Sequence, residues 1–450
     1  MKHILVLGAG QSSPFLIHHL LQLAERHDWF VTVGDRDAEL AAQRVNKHAR
    51  GQAVAVDAND ISLLATLIKK ANLVVNLLAP AFQHQIAIEC VDLRAHMVSA
   101  SYRDRNVREL NGEAQRKGVL ILNEVGLDPG IDHMSAMKVI DQIRSRGGRI
   151  TSFVSYGSGV PAPDSCSNPL RYAITWNPRN VVMSSEHGAQ YMISGKIKIV
   201  PYPDVFARSW PVQVDGIGTM EAYPNRDSLS YRELYGLEHT QQMVRGTLRY
   251  PGWSETWCQI VRLGLPNETL RIPHLAERTW AELVEMFLPR TVAGATIEER
   301  VAFHLKISPT GKIMDNLRWL GLFSDEVVGP VGETMAEAMI ALLSRKLVLH
   351  PQERDMVVIQ HEMEVEYPDS DAPKEKHIST MIAYGEPGGF TAMSRTVGLP
   401  AALAVELILT GALPLTGSQI PTHPAIYTPI LAGLEQAGLA CADRVIPLKR

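Results

Sequence analysis

The segment NEVGLDPGIDH, Asn123 to His133, places three carboxylates (Glu124, Asp128 and Asp132) directly behind the apolar run GVLIL. A carboxylate held by a Pro-Gly turn at the end of a buried strand can exchange a proton with a reacting group, or it can start the next helix. Upstream, SASYRD offers the hydroxyls of Ser99, Ser101 and Tyr102. These either face a ligand or cap the helix running on from Asp104. A third set is cationic: Arg226 in AYPNRDS, and Arg245 and Arg249 in MVRGTLRYPGW. Arginine is the side chain best built for bidentate capture of a carboxylate. The set therefore suits an anionic, amino-acid-like substrate, although any single arginine has a surface salt bridge as its plain reading. The aromatic, Pro and Gly residues around these arginines predict shaped loops.

The remaining chemistry lies at the N-terminus. In GAGQSSP, Gly8 to Pro14, Gly8 permits a tight turn and Gly10 lets the backbone approach a pyrophosphate. Gln11, Ser12 and Ser13 then lead into a helix whose N-terminus offers N–H groups and a positive dipole end. Ser13 replaces the third glycine of the dinucleotide fingerprint, and Pro14 falls where a missing N–H costs little. Asp35, in VGDRD, stands where an acid accepts hydrogen bonds from the adenosine ribose, which favours NAD. Arg36 beside it suits a 2′-phosphate and keeps NADP open. Alternatively, Asp35 and Asp37 cap the helix from Ala38. Asp57 and the stretch Asn76–Pro80, with Ala79, line the same cleft, as do Glu124 and Val125.

These positions need a scaffold. Apolar runs at His3–Leu7, Phe30–Gly34, Ala53–Asp57, Leu73–Leu77, Met97–Ala100 and Val119–Leu122 alternate with amphipathic stretches such as Phe15–Arg26. That alternation predicts an α/β fold with a doubly wound parallel sheet, whose ligands bind at the carboxyl edge. Met134 to Arg146 reads as a helix ended by Gly147-Gly148, with Asp132 as its cap. Ile150–Tyr156 and Lys196–Val200 read as strands among proline-rich loops, and Thr279–Lys346 as mainly helical. Met356–Glu366 alternates with period two, and no second histidine completes a metal motif after His361-Glu362. No metal site is expected.

The chain has 450 residues, 46% hydrophobic and 20% charged, with net charge −4. Its length predicts two or three lobes, and its mixed charges give no case for nucleic acid or an anionic membrane. No run approaches the ~18 apolar residues of a membrane span. Glycines interrupt the apolar N-terminus before it could act as a signal peptide. Four scattered cysteines (Cys90, Cys166, Cys258, Cys441) suit reduced thiols and a cytoplasmic location. A homodimer is expected from the size and lobed character.

The motifs GAGQSSP, SASYRD, NEVGLDPGIDH, VPAPDSCSNPLRYAITW, AYPNRDS, VRGTLRYPGW, RWLGLFSD and QERDMVVIQHEMEVE resemble, in order along the chain, those of the glutamate-forming saccharopine dehydrogenases. The resemblance implies a Rossmann domain over 1–124, with a C-terminal segment from about 392 returning to it. It further implies a mixed α/β substrate domain (125–278 and 347–391) and a small helical domain (279–346). It implies an NAD(P)-dependent interconversion of saccharopine with glutamate and α-aminoadipate semialdehyde, by hydride transfer at an imine carbon. Substrate contacts would fall on Ser99, Ser101, Asp128, Thr175, Arg226, Thr247 and Arg249. Asp128 and Tyr102 would orient the nitrogen and assist proton transfer. Fungal members carry a non-acidic residue where Asp35 stands and a cysteine where Gly157 stands. Two rivals stay open: a carboxynorspermidine-type imine reductase and a catalytically idle NAD(P)-binding sensor.

Overall fold

The computed structural model describes residues 1–184, 186–369 and 372–448. Its contacts divide the chain into two compact units, Met1–Ile150 with the segment from Val365 onward, and Thr151–Glu364. The division differs from the three domains expected. The helix after the acidic loop falls with the dinucleotide lobe, and the helical stretch 279–346 falls within the second unit.

The first unit is built on strands β1 (Lys2–Leu7), β2 (Trp29–Asp35), β3 (Gly51–Ala55), β4 (Leu73–Asn76), β5 (His96–Ser99) and β6 (Leu120–Leu122). Helices α1 (Pro14–His27), α2 (Ala38–Val45), α3 (Ile61–Ile68), α4 (Gln83–Asp92), α5 (Arg105–Glu109) and α6 (Asn111–Lys117) alternate with them. The strands are parallel, with β1 between β2 and β4, so the strand order reverses at β1. That reversal opens the crevice in which doubly wound sheets bind ligands. Both faces of the sheet are covered, which is why Ile4 to Leu7 and Leu73 to Val75 are wholly buried and read as continuous apolar runs.

Helix α1 follows from its sequence. Pro14 takes the first helical position, and Leu16, Ile17, Leu20, Leu21, Leu23 and Ala24 make one buried face. Asp28, in the left-handed region, ends the helix. Each fully buried leucine or isoleucine contributes about 1.5–3 kcal/mol. Helix Ala392–Thr410 packs against α1. Contrary to the composition-based reading, it is apolar and long enough to span a membrane, but 72% of its apolar window is buried inside the protein. A seventh parallel strand, Gly417–Gln419, extends the sheet beyond β6.

Helix α7 (Ile131–Ser145) begins three residues earlier than the periodicity predicts. Asp132 is therefore not its cap. It sits in the first turn, and its Oδ1 accepts from the Gly130 N–H at 2.6 Å. Asp37 does cap α2, accepting from the Leu40 N–H at 3.0 Å.

In the second unit, strands Trp210–Val214, Gly218–Pro224, Gln242–Arg249, Arg149–Pro161 and Asp355–Glu366 lie in that order in a sheet of mixed sense. Gln242–Arg249 pairs antiparallel with Gly218–Pro224 and parallel with Arg149–Pro161. Along the outer half of Asp355–Glu366, His361, Met363 and Val365 are buried while Glu362, Glu364 and Glu366 reach toward solvent, as the period-two pattern requires. Four helices (Trp280–Met286, Ile297–Leu305, Lys312–Leu320 and Met335–Lys346) fill 279–346, three of them opened by capping boxes.

Candidate active site

The glycine loop occupies the carboxyl end of β1. Gly8 has φ +105°, and its N–H is held by the Gly34 carbonyl at 2.8 Å. A Cβ added to Gly10 would meet no atom within 4 Å, so that backbone faces open space where a dinucleotide would lie. Ser13 does not cap α1; its hydroxyl folds back to the Gly10 carbonyl at 2.8 Å. Asp35 latches the loop, with Oδ2 accepting from the Ala9 N–H at 2.6 Å and Oδ1 from the Asp37 N–H at 3.0 Å. Arg44, on α2, donates from Nε to the Ala9 carbonyl, a contact that sequence reasoning missed. Gln11, Arg36 and Asp57 are exposed, Ser12 half-buried. Asn59 donates to Asp57 from its backbone N–H and side chain, and these bonds hold the Asp57 carboxyl below its usual range. Ala79 immediately precedes the short turn of helix at Pro80–Phe82.

Further along the same edge, Asn76 and Ser99 are register partners on β4 and β5. The Asn76 Nδ2 and both amide atoms of Asn123 are buried with no hydrogen-bond partner among the described residues. Leaving such a group unsatisfied costs about 1–3 kcal/mol, so amides of this kind fit a polar ligand group better than they fit a closed core. Taken with the open face of Gly10, they make the edge a good fit to a nicotinamide dinucleotide.

The acidic loop closes over β5. The Glu124 N–H donates to Ser101 O at 3.1 Å and the Val125 N–H to Ser99 O at 3.0 Å. Gly126 N–H takes Pro129 O, and Ile131 N–H returns to Gly126 O. Gly130, at φ +148°, lies so close that a Cβ there would overlap the Gly126 backbone. This compact turn presents Asp128. Tyr102, from the loop after β5, donates its O–H to Asp128 Oδ1 at 3.1 Å. The structure thus joins the two residues singled out for proton transfer, which stand 26 apart in sequence. Ser99 is buried, its Oγ accepting from the Ser101 N–H. Neither serine caps the next helix; Asp104 does, accepting from the Val107 N–H.

Glu124 has a role its position alone did not reveal. It adopts φ +63°, a conformation that costs a non-glycine residue about 1–3 kcal/mol. Its carboxylate is buried, Oε1 accepting from the Arg103 N–H at 2.9 Å and Oε2 facing His133 Nε2 at 2.6 Å. Burial pushes the Glu124 carboxyl up, but His133 and Arg103 outweigh that and hold it below the ordinary range. The stability this contributes is full above the unfolded carboxyl's pKa and is lost as pH falls through the lowered folded value. A glutamate and a histidine nine residues apart carry no spacing signal; only the fold makes them a pair.

The predicted substrate arginines belong to the second unit. Contrary to the loop expectation, Arg245, Thr247 and Arg249 lie on strand Gln242–Arg249, and period-two geometry puts them on one face. Arg249 is 5% exposed. Its guanidinium lies over the rings of Tyr172 (4.8 Å), Trp253 (5.0 Å) and Tyr223 (5.7 Å), with Nη1 donating to the Leu248 carbonyl at 2.8 Å. The Arg249 Nε and the buried Thr175 hydroxyl have no hydrogen-bond partner among the described residues. Thr247 pairs in register with Tyr223. Arg245 is buried over Tyr231 at 4.2 Å. Arg226 is exposed and takes a left-handed backbone at φ +45°. Arg249, caged by aromatic faces and keeping a donor in reserve, is chemically suited to a carboxylate.

Comparison with known proteins identifies the family of the chain. Residues 4–122 match the model of the saccharopine dehydrogenase NADP binding domain, and 126–439 that of the saccharopine dehydrogenase C-terminal domain. The chain is 32% identical, over 99% of both chains, to the saccharopine dehydrogenase [NADP(+), L-glutamate-forming] of Pyricularia oryzae. It is also 32% identical to the mitochondrial alpha-aminoadipic semialdehyde synthase of Rattus norvegicus, over 97% of this chain and 47% of that one. Among solved structures, apo saccharopine dehydrogenase (L-Glu forming) from Saccharomyces cerevisiae aligns with a TM-score of 0.86 at 31% identity, over 99% of this chain and 100% of that one. With a dinucleotide crevice, a paired acid and phenol at its edge and matching family models along nearly its whole length, the chain belongs to the saccharopine dehydrogenase family.

Proposed function

We propose that the protein is an NAD(P)-dependent dehydrogenase acting on a CH–NH group, which interconverts saccharopine and water with glutamate and α-aminoadipate semialdehyde. The observation that carries the reading is the Tyr102–Asp128 hydrogen bond at the carboxyl edge of a dinucleotide sheet. A bound nicotinamide supplies hydride exchange with the carbon attached to nitrogen. The protein's part is binding, orientation and proton handling. Asp128 holds and exchanges the proton of the substrate nitrogen, and Tyr102 fixes the rotamer of that carboxylate. Arg249, with Thr175, Thr247 and Arg226, grips substrate carboxylates. Holding two reactants in line is worth ~7–11 kcal/mol in well-oriented systems, which lessens the demand on any single acid or base. The test is to incubate the protein with saccharopine and NAD or NADP and follow the reduced cofactor. Activity with carboxynorspermidine alone would instead indicate the sister reductase, and silence with both an idle sensor. The working assembly is a homodimer, which light scattering of the purified protein tests.

The cofactor is NAD by preference. The Asp35 carboxylate is anchored to both the glycine loop and the Asp37 N–H, at the strand end where doubly wound folds take the adenosine ribose, so its negative charge opposes a 2′-phosphate. Two like charges ~5 Å apart near a protein surface oppose each other by about 3 kcal/mol before salt screening. Fluorescence titration should therefore give NADH a dissociation constant at least about tenfold below that of NADPH, and Asp35→Ser should narrow the gap. Equal or tighter NADPH binding overturns the preference, which would then align with the relative named for NADP(+). Gly10→Ala should weaken both cofactors while leaving the melting temperature unchanged, because the added methyl meets no protein atom.

A further inference from the structure

We infer that the Glu124 side chain is a positioning residue, acting with His133 to hold the Tyr102 loop and the Asp128 turn in register. The inference rests on the reading of Tyr102 and Asp128 as the proton-handling pair. Those two residues come from separate loops. Tyr102 is attached to Arg103, whose N–H ends on Glu124 Oε1 at 2.9 Å. Asp128 sits in the turn that opens directly into α7, and His133, in the first turns of that helix, meets Glu124 Oε2 at 2.6 Å. One carboxylate therefore accepts from both sides of the gap that the Tyr102–Asp128 bond spans.

Three features argue that this is more than incidental packing. Glu124 and His133 are both buried, His133 wholly, so the pair is not a solvated surface contact. The Glu124 backbone is held in the left-handed region, and its own N–H and that of Val125 are spent on the carbonyls of Ser101, in the Tyr102 loop, and Ser99, at the end of β5. Finally, Arg103 sends its guanidinium Nη1 to the Ser418 carbonyl at 2.8 Å, which tethers the same loop to the seventh strand. The loop is thus fixed at three points, and Glu124 is the one that also reaches the helix behind Asp128.

The prediction separates positioning from folding. Glu124→Ala should lower turnover about 10²-fold, the scale of a 1 Å misplacement, far more than it raises the directly titrated dissociation constant for NADH. His133→Ala should do the same from the other side. Glu124→Gln keeps an acceptor for the Arg103 N–H and a donor toward a neutral imidazole, so it should recover most of the turnover; a purely electrostatic role would leave it as poor as the alanine variant. In a cycle with Asp128→Asn, the Glu124→Ala penalty should largely vanish, because groups that act as a unit are non-additive. Unchanged turnover in folded Glu124→Ala overturns the inference, and so does full additivity with Asp128→Asn. If Asp128→Asn alone has no effect, the cycle is repeated with Tyr102→Phe. If that too is silent, the proton-handling reading fails and the inference falls with it. Should Glu124→Ala not fold, the Glu124→Gln and His133→Ala variants decide by the same criteria.

Discussion

Asp128→Asn should lower turnover by about 10²–10⁴-fold, the range that positioned acid–base groups supply, with cofactor affinity largely intact. The substitution is nearly isosteric. The amide oxygen can still accept from the Tyr102 O–H at the observed 3.1 Å, so the local geometry survives and only the ionisable proton is lost. Nor does it touch the turn that carries it, which is closed by backbone bonds between Gly126, Pro129 and Ile131. The glycine loop and Asp35 lie at the ends of β1 and β2, separate from that turn, so NADH binding provides an internal control. Tyr102→Phe should cost less, because it removes one hydrogen bond to a carboxylate that stays in place. At about 1.5–3 kcal/mol for a bond to a charged group, the penalty is roughly 10- to 100-fold. Steady-state turnover and single-turnover hydride transfer measure both. An Asp128→Asn variant with wild-type turnover removes Asp128 from the chemistry.

The dinucleotide lobe is legible because its central strands are buried on both faces and read as uninterrupted apolar runs between glycine-rich and helical stretches. The exception is Gly417–Gln419, where GSQ has no strand character; it pairs because β6 presents an open parallel edge. Helix α7 starts early because backbone bonds from Ile131 to Gly126 and from Asp132 to Leu127 set its first turn, with no side-chain cap to mark it. Arg245 and Arg249 look like loop residues in the sequence because a strand with buried guanidinium groups on one face lacks apolar alternation, the signal by which strands are recognised. The Tyr102–Asp128 partnership could be named from family motifs, but its contact depends on two loops meeting above the sheet. The Glu124–His133 pair had no such guide. Its two residues flank the turn, and the left-handed φ that aims the carboxylate inward is a property of the folded loop.

The sharpest demand on the substrate side falls on Arg249, where function and stability should pull in opposite directions. Desolvating a guanidinium is costly, and removing one member of a completed buried charge pair typically costs about 2–5 kcal/mol of binding. In the protein alone, Arg249 has three aromatic rings and one backbone carbonyl around it, and its Nε has no hydrogen-bond partner among the described residues. Cation–π contacts recover part of the desolvation cost, at ~0.5–2 kcal/mol each. A substrate carboxylate would complete the set. Arg249→Met, which fills similar space without charge, should therefore lower kcat/KM for saccharopine about 30- to 5000-fold, chiefly through KM, while the melting temperature holds or rises. Arg249→Lys should also fail, because a point-like ammonium has neither the planar fork for a carboxylate nor the flat face that fits against Trp253 and Tyr172. Thermal melts and saccharopine kinetics on the two variants read both halves of the claim. A large fall in melting temperature for Arg249→Met with a proportionate loss of activity makes Arg249 a structural residue. Stability preserved while saccharopine affinity collapses identifies a buried charge kept for the substrate and tolerated by the fold.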